Sequence, residues 1–225
     1  MRLSKRLQSI ADMVTFCDTV ADIGCDHGKL SVYLIINGLC DKVLATDISP
    51  LSLQKTQKLA QKKKIENKII TLCGDGLKPL IDYGQKIDLA VIAGMGGREI
   101  AKIIEQDQDL IDRYILSPQQ NTPILREKLN EFGYKIVNDF IVLDKAKFYD
   151  IIEAVKGKQE LGQSELEWGI GNLKNPSKDF LLYLDKKINL LTQANKRAKT
   201  QQRELIKKDL EKILNLRESI KGRLK

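Results

Sequence analysis

Strand and helix patterns alternate along the first 155 residues of the chain. Short β-branched runs predict strands, and apolar residues at helical spacing predict the helices between them. The expected strands are Thr19–Gly24, Lys42–Ile48, Ile69–Cys73, Ile87–Ala93 and Tyr114–Leu116. The expected helices are a short amphipathic one through Leu3, Leu7, Ile10 and Val14, then His27–Asn37, Pro50–Lys64, Gly97–Ile104 and Pro123–Phe132. This alternation favours a doubly wound, mostly parallel α/β sheet with right-handed crossovers.

Two further extended stretches end this part of the chain. Lys135–Val142 and Phe148–Val155 follow one another with no helical pattern between them. Strands joined by a short connection pair in an antiparallel manner. We therefore expect an antiparallel hairpin at the edge of the parallel sheet.

The pattern changes after about residue 157. Gly157–Pro176 is rich in glycine and proline and predicts a connector with a single helical turn. Beyond it, apolar positions alternate at spacings of four and three, as in a coiled coil. One seam runs through Leu184, Ile188, Leu191, Asn195, Ala198, Gln202 and Leu205, and a second, one residue out of phase, through Ile206, Leu210, Ile213, Arg217, Ile220 and Leu224.

The break in phase predicts two helices folded back as an antiparallel coiled-coil hairpin. The polar segment 196–203 would then lie at the tip of this hairpin. One long helix with a phase skip is the competing interpretation. Together these patterns divide the chain into a sheet domain at residues 1–157 and a helical domain at residues 158–225.

The net charge of +8 is unevenly distributed over the 225 residues. Residues 1–155 contain equal numbers of basic and acidic side chains, so all of the excess positive charge lies in the remaining residues. Clustered positive charge indicates a polyanionic partner, most often a nucleic acid. The alternative is a lysine-rich helix face that is merely solvated.

The composition argues against several classes of protein. The four cysteines form no C-x-x-C pair and His27 is the one histidine, so we expect neither a metal site nor a disulfide framework. No apolar run reaches the roughly 18 residues that a membrane span needs. The segment Met1–Leu7 is charged and lacks an apolar core, so we expect no secretory signal and a cytoplasmic location.

An acidic, glycine-containing turn follows the first expected strand. It reads Asp22-Ile23-Gly24-Cys25-Asp26-His27-Gly28 and leads into a helix. The dinucleotide fingerprint G-x-G-x-x-G is absent, and two carboxylates here would repel a pyrophosphate. The turn instead suits a ligand with cationic and hydroxylated parts and no phosphate, such as S-adenosylmethionine.

Three more strand ends carry suggestive residues. They are Thr46-Asp47-Ile48, Gly74-Asp75-Gly76 and Ala93-Gly94-Met95-Gly96-Gly97. A doubly wound sheet binds its ligand beyond the carboxyl ends of its strands, where an acidic side chain can accept from ribose hydroxyls. We expect Asp47 at the ribose and Asp75 at the adenine amino group. The expected cofactor-binding residues are Asp22, Gly24, Cys25, Asp26, His27, Gly28, Asp47, Ile48, Gly74, Asp75, Gly76, Ala93 and Gly94.

Each strand end has a purely structural alternative. A strand-end aspartate is often the N-cap of the next helix, and glycines at such turns often serve packing alone. His27 can simply bond the backbone at a helix start. Four such ends in register on one sheet edge favour a nucleoside cofactor over these alternatives.

Several motifs make the chain resemble the bacterial tRNA adenine-22 N1-methyltransferases. They are Leu3-Ser4-Lys5-Arg6-Leu7, Ala21-Asp22-Ile23-Gly24-Cys25-Asp26-His27, Ile92-Ala93-Gly94-Met95-Gly96-Gly97-Arg98 and Lys147-Phe148-Tyr149. The resemblance covers residues 1–155 at the level of motifs and the rest in architecture. This chain has Cys25 and Asp47 where the family commonly has serine and glutamate. It has Gln119 where an asparagine-containing motif is expected.

The resemblance implies a Rossmann-like class I methyltransferase that uses S-adenosylmethionine to methylate N1 of adenine 22 in tRNA. Neutral adenine has a lone pair at N1, so the rate would come mainly from alignment, which can contribute ~7–11 kcal/mol. The base must leave its stack to react. The residues implied for catalysis are Asp26, Gly94, Met95 and Gln119. Those implied for substrate binding are Arg6, Arg98, Tyr149, Lys196, Arg197, Lys199 and Arg203.

Two other functions remain open at this stage. The chain can be a methyltransferase for another RNA, DNA or protein, or a non-catalytic RNA-binding factor with a coiled-coil arm. The acidic residues kept at three strand ends favour an enzyme, since a degenerate pocket need not keep them. The sequence leaves the oligomeric state open, with a monomer preferred.

Overall fold

A computed structural model describes residues 1–223 of the chain, and within them seven strands form one sheet. Leu224, the last position of the second predicted seam, lies outside these residues. The strands are β1 (Cys17–Ile23), β2 (Cys40–Asp47), β3 (Ile69–Cys73), β4 (Leu89–Ala93), β5 (Arg113–Ser117), β6 (Tyr134–Asp144) and β7 (Lys147–Lys156). Their order is β3-β2-β1-β4-β5-β7-β6, and the first five are parallel.

The strands β6 and β7 form the predicted antiparallel hairpin, and β7 pairs antiparallel with β5. The doubly wound sheet with an antiparallel edge is therefore confirmed.

Ten α-helices and one short 3₁₀ helix (Glu66–Lys68) connect and flank the strands in the described chain. The α-helices are α1 (Lys5–Asp12), α2 (Lys29–Ile36), α3 (Pro50–Lys62), α4 (Lys78–Tyr83), α5 (Gly97–Ile104), α6 (Thr122–Glu131), α7 (Gln163–Trp168), α8 (Ile170–Lys174), α9 (Lys178–Arg197) and α10 (Thr200–Arg223). The sequence predicted α1, α2, α3, α5 and α6 to within about two residues at each end. It assigned no helix to α4, which has only six residues and too few turns to show a period.

The ends of the parallel strands are level with one another. Ile23 pairs with both Thr46 and Ile92, and Ala93 pairs with Ser117. Two apolar clusters cover the two faces of the sheet, which is why these strands are buried almost throughout. The turns that follow the strands therefore share one edge.

The connector after β7 differs from its prediction. It contains two short helices, α7 and α8, rather than one helical turn. Gly169 separates them at a φ of +87°, and the Asn172 side chain accepts from Ile141 N–H at 3.0 Å and donates to Trp168 O at 2.8 Å. These contacts to the edge strand stabilise helices too short to be recognised by periodicity.

The helices α9 and α10 form the predicted antiparallel hairpin, with the turn at residues 198–199. Phe180, Leu184, Ile213 and Ile220 are buried in the cluster that joins the hairpin to the sheet. Leu205, placed in the first seam, is instead exposed, because the chain has already reversed there. The division at residue 157 stays a prediction, since sheet and hairpin share this apolar cluster. No helix within residues 1–223 is long and apolar enough to cross a membrane.

A buried ionic network ties the helical part to the edge hairpin. Arg126, only 1% exposed, donates from Nε and Nη2 to Asp139 at 2.7 and 3.1 Å. It also donates to Asp150 at 3.0 Å and, from Nη1, to the carbonyl of Leu166 in α7 at 2.9 Å. Burial raises the pKa of Asp139, and Arg126 opposes that rise. One guanidinium thus joins α6, β6, β7 and α7.

Removal of this cation should be costly. Arg126→Met is expected to lower the free energy of unfolding by about 3–5 kcal/mol, because it leaves a buried carboxylate unpaired. The double variant Arg126→Met/Asp139→Asn is expected to recover about half of that loss, because the buried charge is gone as well. Lys128→Met, which breaks an exposed pair on the same helix, should leave the free energy of unfolding almost unchanged. Urea unfolding measures all three, and equal losses in Arg126→Met and Lys128→Met would contradict the prediction.

Candidate functional site

The turn after β1 is held tightly against β2. The N–H groups of Gly24 and Cys25 donate to Thr46 O at 2.8 and 3.0 Å. Gly24 has a φ of +73°, and a Cβ there would collide with Met95 Cε. Glycine is required because the backbone conformation is left-handed and a methionine side chain covers the position.

Asp47 stands at the end of β2 with both carboxylate oxygens engaged. One oxygen accepts from Asp26 N–H at 3.1 Å and the other from Ser49 N–H at 2.8 Å. Asp26 itself is exposed and has a φ of +50°. These bonds fix the turn after β1 relative to that after β2 and still leave acceptor lone pairs on Asp47.

Asp22 lies beneath the turn rather than in the opening above it. Its side chain is buried and accepts a hydrogen bond from the Ser31 hydroxyl. Burial raises its pKa to about 6, the Ser31 hydrogen bonds oppose this rise, and the charge of Asp47 adds to it. The carboxylate therefore supports the turn from below.

Three neighbours in the same turn are not among the residues that line the opening. The Cys25 thiol is buried 3.5 Å from Thr56 Oγ1, and burial raises its pKa to about 12. Gly28 packs against the same threonine at the start of α2. His27 is exposed, with Nε2 3.6 Å from Asp26 Oδ2. Cys25 and Gly28 thus contribute to the packing of the turn, whereas His27 stays exposed beside Asp26, and their roles toward a ligand stay predictions.

The ends of β4 and β5 are joined by Gln119. Its Nε2 donates to Gly94 O at 2.8 Å, and its N–H donates to Met95 O at 2.9 Å. Gly94 has a φ of +94°. Because the amide nitrogen is used in this contact, the Gln119 Oε1 is left as an acceptor.

A cleft of about 700 Å³ opens over these strand ends. It brings together most of the residues predicted from the sequence, namely Arg6, Gly24, Asp26, Asp47, Ile48, Gly74, Asp75, Gly76, Ala93, Gly94, Met95 and Gln119. The side chains of Asp22, Cys25 and His27 and the backbone of Gly28 lie outside its lining.

One wall of the cleft was missed by the sequence analysis. It comes from α5 and its end, through Glu99, Lys102, Ile103 and Gln106. Gln106 Oε1 accepts from Leu77 N–H at 3.0 Å and so fixes the turn after β3. These four residues recur at spacings of three and four positions and therefore fall on one helical face. That spacing, just after the glycine turn, could have identified this wall from the sequence.

A second pocket adjoins the cleft at Gln119. It is lined by Lys147, Phe148 and Tyr149 of the edge hairpin and by Tyr183 of α9. The Arg6 guanidinium lies 4.8 Å above the Tyr149 ring and connects this pocket with the cleft. An aromatic pocket of this kind can stack a flat base.

The remaining predicted residues lie elsewhere. Arg98 is exposed on the first turn of α5, outside the cleft lining. The hairpin tip carries its cations exposed, and no carboxylate of residues 1–223 lies within ion-pair distance of them. These are Lys196, Arg197, Lys199 and Arg203.

The sheet and the cleft define an α/β fold that binds a nucleoside-like ligand, and comparison with known families defines its class as a methyltransferase. The methyltransferase domain family matches residues 3–152. The tRNA (adenine(22)-N(1))-methyltransferase of Bacillus subtilis is 30% identical over 179 residues, which cover 78% of this chain and 74% of that protein. The chain therefore belongs to the family of tRNA (adenine(22)-N(1))-methyltransferases.

Solved structures share the whole architecture, including the hairpin. M. capricolum TrmK in complex with S-adenosyl-homocysteine superposes with a TM-score of 0.87 at 26% identity and covers 97% of this chain and 99% of its own. Streptococcus pneumoniae Sp1610 in complex with S-adenosyl-L-methionine gives 0.86 at 27% identity, covering 96% and 99%. The resemblance noted in the sequence is confirmed.

The buried Asp22 carboxylate predicts a pH-dependent stability. A pKa raised from 3.8 to about 6 gives a stabilising contribution that is complete below pH 4 and is lost as the pH rises through 6. Asp22→Asn keeps an acceptor for Ser31 and cannot ionise. We therefore compare the free energies of unfolding of Asp22→Asn and the wild type at each pH. The difference, variant minus wild type, should be about 2 kcal/mol larger at pH 7 than at pH 4.

Chemical denaturation between pH 4 and pH 7.5 tests this expectation. Asp18→Asn, at an exposed position of the same strand, is the matched control and should change stability by less than about 0.5 kcal/mol at every pH. A difference between Asp22→Asn and wild type that stays constant with pH would show that Asp22 is not the titrating group.

Proposed function

We propose that this protein transfers a methyl group from S-adenosylmethionine to N1 of adenine 22 in tRNA. The observation that carries the proposal is the continuity of two sites in a member of this family. The cleft is lined by aspartates and glycines, and it shares one residue, Gln119, with the aromatic pocket. The cleft is suited to bind the cofactor, and the aromatic pocket is suited to bind the base.

The residues of the cleft fit the cofactor. Asp47 has lone pairs left for two ribose hydroxyls, and Asp75 stands at the next strand end toward the adenine. Ile48, exposed by 72%, offers an apolar surface for a ring. S-adenosylmethionine, when bound, supplies a methyl group activated by a sulfonium. Carboxylates such as Asp26 suit that positive charge, whereas they would repel a phosphate.

The residues at the meeting point suit adenine. N1 lies on the pairing edge, so the base must be unstacked before it can react, at a cost of a few kcal/mol. Tyr149 can stack on the base, and Gln119 Oε1 can accept from its exocyclic amine. The Gly94–Met95 backbone leaves space for the ring beside the methyl donor. These groups align N1, and no general base is required because N1 has a lone pair.

The site can also stabilise the positive charge of the product. Methylation leaves a cationic adenine, and its amine becomes a stronger donor. Asp26 and the oxygen of Gln119 are acceptors already placed at the cleft before the reaction. Preorganised acceptors of this kind stabilise charge as it develops.

The hairpin tip supplies the phosphate contacts in this proposal. Its exposed cations, Lys196, Arg197, Lys199 and Arg203, lie at the end of the arm that carries the chain's excess positive charge. Phosphate contacts position a nucleic acid and do not read its sequence. Arg98, exposed near the cleft, can contribute a further contact. We place the enzyme in the cytoplasm as a monomer that needs no metal; four free cysteines suit a reducing compartment.

The function is tested with tritium-labelled S-adenosylmethionine and tRNA transcripts that are digested to nucleosides after reaction. Label is expected in 1-methyladenosine, and it should disappear from a transcript in which adenine 22 is replaced by guanine. A Gln119→Ala variant should lose activity by about 10²-fold or more, since it loses the base contact and the support of Gly94. Label in another nucleoside, or none in tRNA, would overturn the proposal.

The phosphate contacts are tested by salt dependence. Removal of two tip charges in Lys199→Gln/Arg203→Gln should lower kcat/KM for tRNA and reduce the slope of its log–log salt plot by about 1 per contact. The matched control, Lys63→Gln/Lys64→Gln, removes two exposed charges from the end of α3 and should leave the slope unchanged. Affinity for S-adenosylmethionine should be the same in both variants. Equal salt slopes of kcat/KM for the tip and control variants would show that the hairpin tip does not contact the RNA.

A further inference from the structure

A third pocket adjoins the aromatic pocket, with which it shares Gln119 and Tyr149. It encloses about 310 Å³ between the turn after β5, the edge hairpin, α7 and α9. Trp168, Asp150 and Glu167 line this pocket but neither the cleft nor the aromatic pocket, so it is a separate site. We call it the side pocket; the residues that define it are Asn121, Phe148, Asp150, Glu167, Trp168 and Tyr183.

Aromatic rings form the apolar part of the side pocket. The Phe148 and Tyr183 rings lie 5.4 Å apart between their centroids, and Tyr183 stacks on the buried Phe180. Trp168 lies 6.4 Å from the same phenylalanine. The rings are therefore fixed by mutual packing, and a planar ligand meets a surface that is already formed.

Lys187 lies over these rings and can be displaced from them. Its Nζ lies 4.8 Å from the centre of the Trp168 ring and 5.4 Å from that of Tyr183. No carboxylate of residues 1–223 lies within ion-pair distance of this Nζ, and a cation over an accessible ring is held weakly. A base that stacks on the rings offers a larger contact, so it can replace this flexible side chain.

Acceptors form the polar part of the side pocket. Asp150 uses its two oxygens for Arg126 at 3.0 Å and Thr122 at 2.8 Å. The exposed Glu167 carboxylate, by contrast, has no hydrogen bond or ion pair with any side chain of residues 1–223. Asn121 begins α6 at a φ of +58° without capping it, so its amide is available as well.

These groups exclude a phosphate and suit a base. Two carboxylates repel a phosphate, so the part of an RNA that enters the side pocket must be uncharged. Proteins recognise an unpaired base by stacking it on aromatic rings and by hydrogen bonds to its pairing edge. The phosphate next to such a base finds cations at Lys147, Lys186 and Lys187, which line the adjoining aromatic pocket.

We propose that the side pocket binds the base next to the target adenine and prefers guanine. The assignment rests on the proposed function, because a target base at Gln119 and Tyr149 brings its neighbour to the pocket that shares these residues. Guanine has two adjacent N–H donors on its pairing edge, which match the two oxygens of the Glu167 carboxylate. Adenine and cytosine have one donor group there, and the single donor of uracil lies between two carbonyls that the carboxylate repels.

The side pocket contains its own reporter. Trp168 is the single tryptophan of the chain, so a base that stacks there quenches the tryptophan fluorescence. Protein with a saturating concentration of S-adenosyl-homocysteine is titrated with the monophosphates of guanosine, adenosine, cytidine and uridine, with excitation beyond the absorption of the bases. Guanosine monophosphate is expected to quench at the lowest concentration, and uridine monophosphate at a concentration about 5- to 50-fold higher.

Three variants locate the bound base. Glu167→Gln should weaken guanosine monophosphate about 10-fold and leave uridine monophosphate within about 2-fold, because only guanine uses both carboxylate oxygens. Asn121→Gly removes an amide of the side pocket and keeps the backbone conformation, and it should weaken guanosine monophosphate about 3- to 10-fold. The matched control is Asp209→Asn, at an exposed carboxylate of a neighbouring groove that also contains Trp168 and Glu167, and it should have no effect.

The preference should also appear in the RNA substrate. Transcripts of tRNA with each of the four bases at either neighbour of adenine 22 are compared by kcat/KM in the wild type and Glu167→Gln. Effects on the fold of the RNA cancel, because both enzymes act on the same transcript. At one of the two positions, the loss caused by Glu167→Gln should be about 10-fold larger with guanine than with uracil, and affinity for S-adenosylmethionine should be unchanged.

Equal quenching by all four monophosphates, or quenching by none, would overturn the assignment. So would a response to Asp209→Asn without a response to Asn121→Gly, which would place the base in the neighbouring groove. In these cases label still enters 1-methyladenosine, and the proposed function stands. A protein that is quenched selectively by guanosine monophosphate but puts no label into tRNA would instead overturn the proposed function.

Discussion

The level ends of the parallel strands are the constraint on which the rest of the structure depends. Ile23 pairs with Thr46 on one side and Ile92 on the other, and both faces of these strands are buried. A slip of one residue would move every side chain of a strand to the opposite face, so the register is strongly fixed. Because the strands end together, four glycine- and aspartate-containing turns meet over one cleft. Neighbouring strands also satisfy the turns, as when Gly24 N–H donates to Thr46 O and Gly94 N–H to Ser117 O.

Buried charge extends this constraint to the helical part of the chain. Arg126 gathers two carboxylates and a carbonyl of α7, and so sets the edge hairpin against the connector that leads to α9. A buried ion pair contributes little net stability compared with apolar packing, but its geometry is demanding. The pocket that contains Tyr149 and Tyr183 lies between β7 of this edge hairpin and α9. Both the ionic contacts of Arg126 and the apolar cluster therefore hold the helical part of the chain beside the sheet.

Charge is separated along the molecule according to the proposed ligands. The sheet part is neutral, with carboxylates at one end of the cleft and Arg6 at the other, which suits a ligand with both signs of charge. The hairpin carries the excess positive charge and leaves it exposed at the tip, which suits a long polyanion. Gln119 lies where the two regions meet. A cofactor in the cleft and a base in the adjoining aromatic pocket would therefore meet at this residue.

The sequence by itself determined the strands, most helices, the hairpin and the chemistry at the strand ends. These features are local, because β-branched runs, helical periods and glycine–aspartate turns act over a few residues. Only the tertiary structure decided which way each side chain of a turn points: Asp22 and Cys25 are buried below the turn, whereas Asp26 lies at the cleft. It also decided the helices too short for a period, such as α4 and α8, whose stability comes from packing. The α5 wall with Gln106 and the unpaired Arg6 guanidinium depend on contacts between segments far apart in the chain, which no local pattern records.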